Sequence, residues 1–372
     1  MFINFWYPAV TSEELTDLPI KARILGQDFV LFRDAEGKAC CLSNTCTHRG
    51  GSLGDGKIRN GNMQCPYHGW EFNGEGHCTK IPSLGSNAKI PSRARIDAYP
   101  VEERYGLVFC FLGDLPEAER PPIMEIPEWA HAGWTYTIQQ FDFDIYYERS
   151  MENGVDPAHN EFVHDTHGFS GEHDDYEVPA FELKETEWGT GFGLEIMAPP
   201  LPEKTMQAAS GRTGNAVIYT GTGHEGAASL WTYIHPTPDM LIHQYAFEKP
   251  IDEEHTTIFL VNLRNFMLEE THHERIKERN AYVAYQDRDV LMELNPTLTP
   301  ESNTAEFFTP SDSCVGAYRK KLDTWTDNGW RIDTNTVAKN VNRIAYAIPS
   351  PERRNSKSWV LDPIPLINSK SS

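Results

Sequence analysis

Two short runs, Cys46-Thr-His48-Arg-Gly-Gly and Cys65-Pro-Tyr-His68-Gly-Trp, constrain this chain more than any other feature. Each offers one thiolate and one imidazole, two residues apart in the first run and three in the second, and sixteen residues lie between His48 and Cys65. Sulfur and imidazole donors in two matched loops point to a metal. The intervening glycine-rich segment from Gly50 to Gly61 carries no apolar periodicity, so it must form loop or bulge.

Structural zinc sites more usually pair Cys with Cys across two to four residues, and Cys-x-His departs from that habit. A chance cluster of surface Cys and His is the plainest alternative. In a Rieske centre, two His replace two Cys on one iron of a 2Fe–2S cluster. Loops with one donor of each kind can straddle such a cluster, with Cys46 and Cys65 on one iron and His48 and His68 on the other. Gly50, Gly51 and Gly69 permit the turns, and Pro66 stiffens the second loop. Neutral imidazole in place of anionic thiolate raises the cluster potential, so it accepts electrons more easily. The other cysteines, Cys40, Cys41, Cys78, Cys110 and Cys314, show no disulfide-like framework and read as small buried hydrophobes in a reducing compartment.

The 372 residues allow two domains, and 39% apolar with 11% aromatic content is enough for substantial cores. A net charge of −21 with no offsetting Lys/Arg block argues against nucleic acid. No apolar run approaches the roughly 20 residues that span a bilayer. The opening MFINFWYPAV lacks a basic leader and is interrupted by Pro8, so a soluble, cytoplasmic protein without a membrane partner is expected.

Residues 20–46 alternate apolar and polar around the turn DAEGK, which predicts a hairpin. The turn NGEG and the run YGLVFCFL (Tyr105–Leu112) extend a β-rich module to about Leu115. The proline-rich stretch PEAERPPIMEIPEW marks a boundary, giving domains 1–117 and 118–372. Beyond it, Trp134–Tyr147 reads as a long strand and Arg149–His164 as helical. Residues Asp165–Gly214 read as irregular loops or a poorly ordered excursion. Strand-like runs return at AVIYT, SLWTYI, MLIHQYAF and TIFLVNL, before a charged helical stretch from about Glu269 to Leu294. The fold class is α+β, with an antiparallel sheet and packed helices after the β-rich module.

The pair CTHRGG…CPYHGW near the N-terminus, with a larger domain behind it, resembles the Rieske non-haem iron oxygenases of the α-subunit, aromatic ring-hydroxylating type. The resemblance covers nearly the whole chain, more loosely in the middle and last third. It implies a helix-grip, START-like catalytic domain and a mononuclear iron motif N-x-x-D-x-x-H-x-x-x-x-H. Asn153, Asp156, His159 and His164 fit it. The first three share one stripe of a helix. His159 and His164 would stand roughly 140° apart on a regular helix, so it must widen or break between them, and a π-like turn is one solution. His167 is a rival ligand. An oxygenase iron needs two His and one carboxylate, with positions left open. The resemblance places that carboxylate on a late helix, where YQDRDVLME offers Asp287, Asp289 and Glu293, and Asp287 matches best.

The resemblance also implies the activity. It would be that of a terminal oxygenase that uses O2 to hydroxylate, dihydroxylate or oxidatively demethylate a small, aromatic substrate. Its electrons would come from a separate NAD(P)H-dependent reductase or ferredoxin. The chain carries no dinucleotide fingerprint of its own, since GGSLGDG sits in the cluster loop rather than between a strand and a helix. In the resembling family a homotrimer sets the cluster of one subunit beside the iron of the next. Asp156 would then link His68 of one chain to His159 of another. Arg49, Lys57 and Arg59 form a small basic group near the cluster loops, suited to an electron-transfer partner. The rival from another class is an electron-transfer or ligand-binding protein whose second domain is inactive.

Overall fold

The N-terminal part is a set of short antiparallel ladders, some of whose strands, such as Ala39–Ser43 and Leu107–Leu112, are buried on both faces. The computed structural model describes residues 1–165, 171–172, 176–200 and 204–367, so the rival ligand His167 lies outside the described residues. The expected hairpin around DAEGK joins strands Gln27–Arg33 and Ala39–Ser43. A second, tighter hairpin precedes it, from Ile20–Ile24 into Gln27–Arg33. Its turn residues Leu25 and Gly26 have φ of 54° and 73°. Leucine rarely adopts that conformation, so no turn signal marked it.

Strands Lys57–Arg59, Asn62–Gln64, Glu71–Phe72 and Cys78–Lys80 form a small four-stranded sheet. Its buried side chains Met63 and Phe72 join Val30, Phe32, Leu42 and Leu53 in one core, which also holds Cys46 and Cys65. Both metal loops therefore spring from strands anchored in the same hydrophobic cluster.

Contacts divide the chain into two units, Met1–Ile123 with Thr324–Ser372, and Met124–Asp323. A single cut after residue 117 does not describe this arrangement, because the tail folds with the first unit. Phe5 meets Trp325 and Trp330 edge-on, with centroids 4.7 and 5.8 Å away. Asp97, fully buried, accepts from Nε and Nη2 of Arg353 at 2.7 and 2.8 Å. A buried carboxylate needs such a partner, and this one lies far along the chain, beyond any local reading.

The second unit is built on a seven-stranded antiparallel sheet. From one edge its strands are Thr135–Phe143, Thr256–Arg264, Met240–Pro250, Ser229–Thr237, Ala216–Glu225, Gly189–Ala198 and Lys184–Glu185. Two of them lie in the segment expected to be irregular. In Gly189–Ala198 the glycines alternate with Thr190, Phe192 and Leu194, a period of two that composition obscured. A Cβ at Gly191 would strike the Trp231 ring, and one at Gly193 the Tyr219 hydroxyl. Neighbouring aromatic side chains thus cover the glycine face of that strand.

The helix His273–Leu291 packs on the opposite face of the sheet. Phe141, Phe143, Ile258 and Leu260 meet Ala281, Ala284 and Leu291 there. Among the described residues no helix is long and apolar enough to cross a membrane.

Candidate metal centres

The two cluster loops repeat one backbone device. The N–H of Gly50 donates to the carbonyl of Cys46 at 2.9 Å, and the N–H of Gly69 to that of Cys65 at 3.0 Å. Both glycines sit near φ +70°, the left-handed region that closes such turns. The loops approach so closely that a Cβ at Gly51 would come 3.0 Å from the Cys65 sulfur. Cys46 and Cys65 are buried, whereas His48 and His68 are exposed, their rings 4.4 Å apart at 70°. Trp70 stacks flat on His48 at 4.6 Å and fixes its plane.

Burial pushes the Cys46 thiol up to about 12, and the neighbouring Cys65 pushes the same way. Such a thiol ionises at neutral pH only against a strong positive charge, which a metal supplies. No three of the four donors converge on a point as the ligands of one ion would; among the described residues only His159, His164 and Asp287 do so.

The second site is built by a break in a helix. The helix Tyr147–Gly154 is buried along most of its length. Arg149 and Arg319 clamp its Glu152 at 2.6–3.0 Å inside the unit. Breaking a buried pair of this kind costs about 3–5 kcal/mol, so the helix is held firmly. It ends at Gly154, where Thr222 Oγ1 donates to the carbonyl at 2.6 Å. Asp156 precedes Pro157, which disfavours helical backbone before it. Asn153, Asp156 and His159 therefore do not share the helical stripe expected for them. His159 instead opens the short helix Asn160–Val163, and His164 leaves it with ψ 83°. The helix breaks before His159 and ends at His164, with one α-helical turn and no π-like turn between them, and the two imidazoles converge.

Nε2 of His159 lies 3.2 Å from Nε2 of His164. Asp287 Oδ1 is 3.2 Å from the His164 nitrogen and 3.7 Å from the His159 nitrogen. The three ligand atoms lie within 4.8 Å of one another. Asp289, by contrast, is 66% exposed and paired with Arg288, and Glu293 is exposed. Nδ1 of His159 donates to the backbone carbonyl of Asp156 at 2.7 Å, and Nδ1 of His164 meets Gln286 Oε1 at 3.2 Å. Each ring thereby presents Nε2 inward. The Asp156 carboxylate stands beside the His159 ring without a hydrogen bond to it. Its Oδ1 accepts from the N–H of Ala158 at 2.7 Å, and Oδ2 stands 3.8 Å from His159 Nδ1.

Burial opposes the charge on Asp287, but the adjacent His164 outweighs it, with smaller help from His159 and Asn153, and the carboxyl ends below its usual range. Burial likewise holds His159 below its ordinary value, as a neutral ligand requires. At 3.2 Å the Asp287–His164 contact attracts by charge without hydrogen-bond alignment, which leaves Oδ1 buried and unpartnered. An orphaned carboxylate oxygen facing two imidazole nitrogens fits a divalent metal.

The trio lines a cavity of about 240 Å³, walled by Phe141, Phe143, Phe192, Ile234, Leu260 and their neighbours. Register sets Phe192, Thr222, Thr232 and Gln244 in one row across the sheet on this side. Gln286, Gln244, Asn280 and Glu248 were not singled out from the sequence as site residues. Gln286 stands next to Asp287, which was a usable signal, but the other three are visible only once the sheet and helix meet.

Residues 5–100 match the family model of the Rieske [2Fe-2S] domain. Residues 143–328, half of the chain, match that of the vanillate O-demethylase oxygenase C-terminal domain. The chain belongs to the Rieske non-haem iron oxygenases. It is 32% identical to Protein TIC 55, chloroplastic, of Arabidopsis thaliana over 183 residues, 48% of this chain and 34% of that protein. The phenoxybenzoate dioxygenase subunit alpha of Ectopseudomonas oleovorans is 34% identical over 180 residues, 45% of this chain and 44% of its own. The chain thus spans a third to under half the length of these relatives. NdmA of Pseudomonas putida CBB5, solved with caffeine, shares the fold with a TM-score of 0.74 at 22% identity, covering 87% of this chain and 91% of that one. As a Rieske oxygenase the protein takes a 2Fe–2S cluster in its first unit and a mononuclear iron in its second.

Proposed function

We propose that this chain is the terminal oxygenase of a multicomponent cytoplasmic system acting on a small aromatic substrate by hydroxylation, dihydroxylation or oxidative demethylation. The observation that carries this reading is the convergence of His159, His164 and Asp287 on the wall of a largely apolar cavity. Cys46, His48, Cys65 and His68 hold the cluster, and the trio holds the iron. Iron at that place supplies O2 activation with electrons delivered one at a time. The protein's own part is to aim the imidazoles through the Asp156 carbonyl and Gln286, to keep Asp287 ionised through His164, and to exclude water with phenylalanine and aliphatic walls. Asn153 supports Asp287 from the preceding helix.

The purified protein is expected to hold roughly three irons per chain and, after dithionite reduction, to give the low-average-g resonance of a mixed His/Cys cluster. Aromatic acids, methoxyarenes and N-methyl compounds should be screened for substrate-stimulated O2 uptake in the presence of a reductase. Two irons with no uptake would favour an electron carrier, and a colourless zinc protein would overturn both assignments.

Electrons come from a separate reductase or ferredoxin docking near the cluster. Lys57 and Arg59 support this, both exposed on one side of the hairpin Lys57–Arg59 and Asn62–Gln64, with Arg49 exposed in the first loop. Arg59→Glu is expected to slow cluster reduction several-fold at low salt, with the difference shrinking as ionic strength rises. Stopped-flow reduction at matched rates across all salt concentrations would remove the docking assignment. The working assembly is a homotrimer, in which Asp156 joins His159 to His68 of a neighbouring chain.

A further inference from the structure

Glu248 is a charged residue type in a place where a charge is costly. It lies on the strand Met240–Pro250 with 1% of its surface exposed, on the same face as Gln244 and Ala246, and lines the cavity that the iron trio also lines. Oε1 accepts from the Ser150 hydroxyl at 2.6 Å, while Oε2 is buried with no hydrogen-bond partner among the described residues. A native protein seldom leaves such an atom unpaired unless a ligand or water completes it.

Burial pushes the carboxyl up to about 8, and the Ser150 bond pulls it back only partly. The charged groups nearest to it are otherwise engaged. On the helix Tyr147–Gly154, Glu148 accepts from Tyr146 and Tyr147, and Arg149 and Glu152 pair with each other. Beside it on the sheet are Ala228, whose carbonyl accepts from its N–H, and Ile258, both apolar. Asp156, His159, His164, Asp287 and Arg279 line the same cavity, but none contributes to its shift. At neutral pH the group is a carboxylic acid, and with Oε1 accepting from Ser150 its proton sits on Oε2 as an unspent donor.

We propose that Oε2–H of Glu248 donates a hydrogen bond to the substrate, which is a neutral molecule carrying an ether oxygen, carbonyl oxygen or ring nitrogen. The surroundings that keep Glu248 uncharged would equally resist burial of an anionic substrate. This assignment rests on the cavity being the substrate site of the proposed oxygenase. It deepens that reading by naming the recognising group.

Binding of anisole and of ethylbenzene, which differ by an ether oxygen in place of a methylene, tests it calorimetrically on the iron-loaded protein without O2. The wild type should bind anisole roughly tenfold tighter at pH 7, because ethylbenzene leaves the donor unpaired. Glu248→Gln keeps an N–H donor and should keep the preference, whereas Glu248→Leu should abolish it. Raising the pH through about 8 ionises Glu248, so the wild-type preference should fade while that of Glu248→Gln persists. That arm stands even if the leucine variant does not fold. Equal affinities in the wild type, no binding of either probe, or a preference indifferent to both pH and Glu248→Leu would overturn the proposal. Iron content and O2 uptake report separately on the oxygenase reading.

Discussion

Alanine at His159, His164 or Asp287 is expected to remove one of roughly three irons per chain and to bring turnover to background, with the cluster spectrum unchanged. The expectation follows from how little else surrounds that point. The three ligand atoms lie within 4.8 Å of one another, and no fourth His, Cys, Asp or Glu among the described residues joins them. Losing one leaves two donors, too few to hold ferrous iron while keeping positions open. Asp289→Ala serves as the control, since Asp289 is exposed and bound to Arg288. Metal analysis beside the reduced resonance reads both sites in one sample. Iron loss from Asp289→Ala with retention in Asp287→Ala would reassign the carboxylate, and loss of the cluster as well would indicate misfolding.

Asp156→Asn is expected to keep three irons, the proposed trimeric state and normal cluster reduction, yet to turn over roughly 10- to 100-fold more slowly. Within the chain this aspartate performs two separable tasks. Its backbone carbonyl holds His159 Nδ1 at 2.7 Å, which the substitution leaves alone. Its Oδ1 caps the N–H of Ala158, which an amide oxygen can also do. What asparagine lacks is the second anionic oxygen, which stands 3.8 Å from His159 and suits an N–H from His68 of a neighbouring chain. Single-turnover rates on metallated, pre-reduced protein isolate that contribution. Wild-type rates there would reduce Asp156 to a local cap, and a fully active monomer would exclude any role between subunits.

Local spacing made the first candidate site legible, because Cys46 with His48 and Cys65 with His68 each lie within one short run. Asn153 through His164 stood out only as the motif that the family resemblance implies. Periodicity revealed the strands with alternating apolar residues, and the charged amphipathic stretch gave the helix His273–Leu291. It did not reveal Gly189–Ala198, whose glycines acquire meaning only under Trp231 and Tyr219. Nor did it choose among Asp287, Asp289 and Glu293, where the resemblance alone favoured Asp287; Asp287 and Asp289 lie on different faces of that helix, and Glu293 lies past its end at Leu291.

The sequence by itself determined which donors exist and how they are grouped in each loop, because that depends on residue type and a few intervening positions. Tertiary structure alone decided that Asp287 reaches His159 and His164, that the tail after Thr324 returns to pair Arg353 with Asp97, and that Glu248 enters the cavity with one oxygen unpaired. Each of those depends on elements far apart in the chain meeting at one point. Burial and a partner's charge, which set the protonation of Asp287 and Glu248, exist only after they have met.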